Sequence, residues 1–186
     1  MPSSGCYASA RRGQAQSGVV RTLSRAVRTR SGAVRTKMAD ATRHGLRITR
    51  LLPAPPQEVF AAWTDPDCAR HWMAPGAMTV AELEMDPRPG GTFRLVMRSE
   101  RGDIAHIGEY REVDPPRRLV FTWKSPATQG RETVVTVEFH ERGDATELVL
   151  THEELPDQHS ADGHREGWTS IAERLALYLA SGRSAA

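Results

Sequence analysis

Side chains able to do chemistry crowd the stretch from His152 to His164, where His152, Glu153, Glu154, Asp157, His159 and His164 follow closely on one another. Imidazoles among carboxylates suggest first a metal site or an acid–base pair. The spacing supports neither. There is no HExxH, and no two histidines lie at i and i+4 on a helix, so no helix face offers two ring nitrogens to one cation. The carboxylates fall in a loop and at a helix start, where the positive end of the helix dipole favours acidic side chains on its own account. Nucleophilic catalysis fares no better: G-x-S-x-G is absent, and Cys68 has no base at a defined spacing. Gly90-Gly91 after Pro89 reads as a hairpin turn and not a phosphate loop, because a strand follows it. No catalytic residue, metal or cofactor is expected.

What remains are polar groups set on apolar faces. His152 shares parity with Leu148 and Leu150, and His164 lies one turn ahead of Trp168 on an apolar helical stripe. A buried imidazole must either find a hydrogen-bond partner in the core or line a cavity, and both readings stand at this point.

The elements that must position these groups are legible from periodicity. Residues 46–51 alternate as a half-buried strand, stopped by Pro53, Pro55 and Pro56. Pro56 suits the first position of a helix carrying Val59, Phe60, Ala62 and Trp63, ended by Asp65-Pro66; a second short helix is expected over Cys68–Trp72. From Thr79 the period becomes two, and strands are expected at 79–85, 92–98, 104–113, 118–124, 132–140 and 146–152, separated by short turns that make neighbours antiparallel. After Pro156, residues His164, Trp168, Ile171, Leu175 and Tyr178 step by four and three along one long helix over 157–181.

Seven strands and one long amphipathic helix bury both apolar faces only if the sheet curls around the helix. The expected fold is therefore α+β, a helix-grip architecture with two short helices filling one end and a hollow between sheet and helix. Strand parity supplies a candidate lining: Trp72, Phe93, Leu95, Met97, Tyr110, Phe121, Trp123, His152, His164, Trp168 and Ile171. Strand 104–113 mixes apolar and polar residues on both parities, and Gly108 marks a bend or bulge in it.

Charge divides the chain. Residues 1–39 hold eight basic residues and no acidic one, whereas residues 40–186 hold 17 basic and 23 acidic, a net of −6. Residues 1–44 read as a basic, disordered leader, 45–182 as the domain and 183–186 as a tail. Val-Arg-Thr recurs every seven residues at Val20, Val27 and Val34. Three readings of the leader compete: a segment preceding a true start at Met38, an organelle-targeting peptide, or an arm for nucleic acid or a membrane surface. The acidic domain itself is not expected to bind nucleic acid. No run of about 18 apolar residues exists to form a membrane span, and two cysteines are too few for a disulfide scaffold. A cytoplasmic monomer or homodimer is expected.

Several motifs carry a family resemblance. The run from Pro55 through Glu58-Val59-Phe60-Ala61-Ala62-Trp63 to Asp65-Pro66 resembles the opening of the SRPBCC (START-like) superfamily, in the branch named after the activator of heat-shock-protein-90 ATPase. Arg70-His71-Trp72, Arg88-Pro89-Gly90-Gly91, Gly108-Glu109-Tyr110, Val113-Asp114-Pro115-Pro116, Arg118 to Trp123, Leu150-Thr151-His152 and Glu166-Gly167-Trp168 are similar to the family in order and spacing. The resemblance implies a helix-grip domain over about residues 45–182. It implies a hydrophobic small molecule or lipid as ligand, or alternatively a module stimulating a chaperone ATPase, or a cyclase- or dehydratase-type enzyme.

Overall fold

In the computed structural model, residues 44–183 are described. The expected basic leader with its Val-Arg-Thr repeats lies outside them, apart from His44, and so does the tail beyond Arg183. His44 opens the first strand instead.

Alternation produces seven strands: β1 (His44–Leu52), β2 (Thr79–Met85), β3 (Thr92–Ser99), β4 (Gly102–Asp114), β5 (Arg118–Trp123), β6 (Thr133–Arg142) and β7 (Ala145–Leu155). They form one antiparallel sheet in the order β1-β7-β6-β5-β4-β3-β2. Strands β2 to β7 follow one another in the sheet; β1 alone crosses to pair with β7, so the first and last strands meet at one edge. The period-two pattern is cleanest in β6, where Thr133, Val135, Val137 and Phe139 point inward between half-exposed neighbours. On β3, Arg94 faces outward and pairs with Glu82 of β2.

Two short helices plug one end. α1 (Pro56–Thr64) starts at a proline whose missing N–H costs no helical bond, and it buries Val59, Phe60, Ala62 and Trp63. α2 spans Pro66–Ala69, not Cys68–Trp72 as the sequence suggested. Asp65 explains the earlier start: its side chain accepts from the Asp67 N–H at 2.8 Å, capping a helix whose first residue is again a proline. Residues 70–73 continue only as hydrogen-bonded turns.

The long helix α3 (Gln158–Arg183) lays Ala161, Trp168, Ile171, Leu175 and Leu179 into the core. It runs along β1, tied there by Arg165, which donates to the Arg47 carbonyl at 3.0 Å, and by an Arg50–Glu173 ion pair. The sheet thus curls about α3, an α+β helix-grip fold. No described helix is long and apolar enough to cross a membrane.

The ambiguity in β4 resolves into a close approach and a bulge. A Cβ on Gly108 would fall 1.9 Å from the Thr122 carbonyl oxygen and 2.5 Å from Phe93, so only glycine lets β5 and Phe93 come this near. The register with β5 shifts between Tyr110 and Glu112. With that irregularity, Ile104, His106 and Tyr110 still turn toward the interior.

Candidate functional site

Core packing between sheet and helix is uneven. Around Phe93, Tyr110, Phe121, Trp63 and Trp123 the interior closes to a void of about 20 Å³. Nearer the start of α3, a cavity of about 470 Å³ stays open. α3 contributes one face to it, with His159, Ser160, Gly163, His164, Gly167, Trp168 and Ile171 at helical spacing. The sheet contributes Met97, Ile104, His106 and Trp123, and two loops supply Pro75 and Met78, and Pro126, Ala127 and Gln129.

Both loops are strapped to α3. The Gly76 N–H donates to the Ser170 hydroxyl at 2.9 Å, while Arg174 Nη1 donates to the carbonyls of Ala74 at 2.7 Å and Met78 at 2.9 Å. On the other rim, the 3-10 turn Pro126–Thr128 leads to Gln129, whose amide donates to Asp157 at 2.7 Å. Asp157 also accepts from the Ser160 N–H at 2.7 Å, so one carboxylate caps α3 and anchors the turn. Donation from Ser160, and less from Gln129, holds the Asp157 carboxyl below its usual range.

Met97, Trp123, His164, Trp168 and Ile171 of the expected lining stand in this wall. Phe93, Tyr110 and Phe121 surround the small void instead, and burial pushes the Tyr110 hydroxyl's pKa upward. Trp72 and Leu95 are fully buried core residues, Trp72 packing on Trp63 with ring centroids 5.0 Å apart.

His152 is sealed as well, at 0% exposure, inside a short hydrogen-bond chain. Trp168 Nε1 donates to its Nδ1 at 3.1 Å, and its Nε2 lies 2.7 Å from Thr133 Oγ1. Thr133 in turn donates to the Trp123 carbonyl at 2.7 Å. An indole N–H only donates, so His152 Nδ1 must be a bare acceptor and Nε2 must carry the hydrogen. The imidazole is therefore neutral. Desolvation, reinforced by nearby His164, depresses its pKa to about 3. Through this chain, His152 holds the Trp168 ring and the Trp123 backbone that form the cavity wall.

His164 is half-buried and its Nδ1 lies 2.7 Å from the Ser160 carbonyl, an acceptor, so Nδ1 carries the hydrogen and Nε2 the lone pair. Burial lowers its pKa. Sequence parity left out His106, which is 8% exposed on the sheet side of the cavity, its ring 4.8 Å from that of Trp123. Burial lowers its pKa to about 4 against the opposing effect of the Leu95 carbonyl. His106 Nδ1 and Trp123 Nε1 are buried without a hydrogen-bond partner. The signal that could have found His106 was its parity with Ile104 and Tyr110, hidden by the mixed pattern of β4.

No arginine, lysine, aspartate or glutamate among the described residues lines the cavity. Among the described residues, no group of three or more histidine, cysteine or acidic side chains is placed to hold a metal ion.

Comparison with known proteins agrees with this architecture. Residues 53–180 match the family described as Activator of Hsp90 ATPase homolog 1-like protein, a span that includes the whole cavity wall. Among solved structures, the AHSA1 protein from Silicibacter pomeroyi is 30% identical, with a TM-score of 0.65 over 73% of this chain and 97% of that one. A protein from Chromobacterium violaceum is 24% identical, with a TM-score of 0.68 over 73% and 96%. One from Nitrosomonas europaea is 24% identical, with a TM-score of 0.65 over 75% and 96%. A search of curated proteins found no match. With more than half of its residues in the match, the chain belongs to the family of activator of Hsp90 ATPase homologue 1-like proteins.

Proposed function

We propose that the protein binds a hydrophobic or amphipathic small molecule in the cavity between sheet and α3. The observation that carries this reading is the use of glycine in the wall. Gly163 and Gly167 stand one turn apart inside a 26-residue helix, where each is about 1 kcal/mol worse than alanine. A Cβ at either position would meet nothing within 4 Å. Stability alone favours a side chain at both sites; without one, both glycines border a cavity of about 470 Å³, within the range of ligand pockets. Apolar burial would supply affinity at about 25 cal/mol per Å², less the cost of association.

Trp123 and Trp168 report directly on occupancy. Titration with fatty acids, polyphenols and the uncharged dye Nile red should quench or shift tryptophan emission; silence across the panel would overturn the reading.

The family's description supports a second reading, a protein-interaction module that stimulates a heat-shock-protein-90-type ATPase. Co-purification with such a chaperone and accelerated ATP turnover would support it; unchanged turnover without co-purification removes it. A third reading, a cyclase- or dehydratase-type enzyme, would have to draw its acid and base from the imidazoles of the wall, since among the described residues no carboxylate lines it.

A further inference from the structure

Resting on the cavity reading above, we infer that the site selects an uncharged ring compound that donates a hydrogen bond, such as a phenol, and places that donor on His164 Nε2. The geometry is specific about this atom. Nδ1–H is spent on the Ser160 carbonyl within the helix, which leaves Nε2 as a pure acceptor with no partner among the described residues. His152 packs edge-to-face against the ring at 4.9 Å and keeps it from turning away. An ether or hydrocarbon of the same shape would leave that lone pair unmatched.

Two further features narrow the class. An aromatic wall suits a ring-bearing occupant: His106, Trp123 and Trp168 pack on one another with centroids 4.8 and 5.0 Å apart and ring planes tilted by 40° and 56°. Among the described residues no arginine or lysine stands in the wall to give a carboxylate or phosphate its counter-ion. Burial disfavours the charged form of both His106 and His164, and the third imidazole of the wall, His159, is exposed to solvent, which screens it. The Ser160 hydroxyl, on the same wall, can add one neutral hydrogen bond but no charge.

Three naphthalenes of matched shape test this at pH 7.5 by isothermal titration calorimetry on the full chain: 2-naphthol, 2-methoxynaphthalene and 2-naphthoate. Wild type should bind 2-naphthol roughly tenfold more tightly than either of the others, the worth of one buried hydrogen bond. His164→Phe should bring 2-naphthol down to the level of the ether and leave the ether unchanged. Equal binding of naphthol and ether by the wild type, tightest binding of naphthoate, or a preference that survives His164→Phe would each overturn the inference while the cavity reading stands. Absence of heat with all three would overturn the inference and count against that reading too. The wild-type comparison decides even if the variant fails to fold.

Discussion

An imidazole held between an indole N–H and a threonine hydroxyl has room for one hydrogen, and protonating both nitrogens of His152 would set N–H against N–H at Trp168. This makes a stability prediction with a definite sign. His152 and His106 have folded pKa values near 3 and 4, below their unfolded value of 6.5. The unfolded chain therefore takes up protons first. The stability these groups contribute is fully present above pH 6.5 and drains away as pH falls toward 4. The slope should approach ~1.4 kcal/mol per pH unit for each histidine, measured by urea unfolding at a series of pH values. A flat profile over that range would contradict the burial of both rings. Thr133 offers a second test. Thr133→Val strands the buried Nε2–H and should cost ~1–3 kcal/mol, whereas Thr133→Ser, which keeps the hydroxyl, should cost less. At this scale the sequence was half legible. The inward parity of His152 with Leu148 and Leu150 could be read from β7 alone. Its partner could not, because Thr133 reaches it only through the β6–β7 register that sets Val135 opposite His152.

Among the elements, β4 and the loop before β2 do the most to shape the site. Gly108→Ala should destabilise the fold by more than ~2 kcal/mol, since its methyl would collide with the β5 backbone and not merely with a movable side-chain tip. Thermal unfolding checks this. Arg174 is the clasp of the loop: four carbonyls, of His71, Ala74, Gly76 and Met78, lie within 3.5 Å of its guanidinium. Arg174→Met keeps the stem and removes the donors, so amide exchange across 72–78 should quicken severalfold while β5–β7 stay protected. Seven strands and α3 were legible because alternation and the three-four stripe are properties of single segments. α2 began earlier than its apolar residues suggested, because Asp65 and Pro66 set its start. The inward face of β4 was masked by Gly108 and the bulge near Tyr110, which depend on how closely β5 approaches.

For the molecule as a whole, a sheet curled around a helix leaves interior space, and the proposed function rests on where that space lies. The expected hollow between sheet and helix came with no position along α3. Trp63 from α1 and Trp72 from the turn after α2 help fill one end, and the open volume gathers at the start of α3, between two strapped loops. Sequence parity names inward residues, but it does not say which of them meet one another and which meet empty space. That follows from how far α1 and α2 penetrate, a tertiary quantity. Gly163 and Gly167 were present in the sequence all along, yet their meaning depends on having a cavity beside them.

The most direct measurement is therefore Nile red binding to the wild type and to Gly167→Leu. A leucine there restores helix propensity and projects into the open volume. The account predicts an unchanged or raised melting temperature together with loss of dye binding by at least an order of magnitude. A folded Gly167→Leu protein that binds Nile red as tightly as the wild type would contradict it.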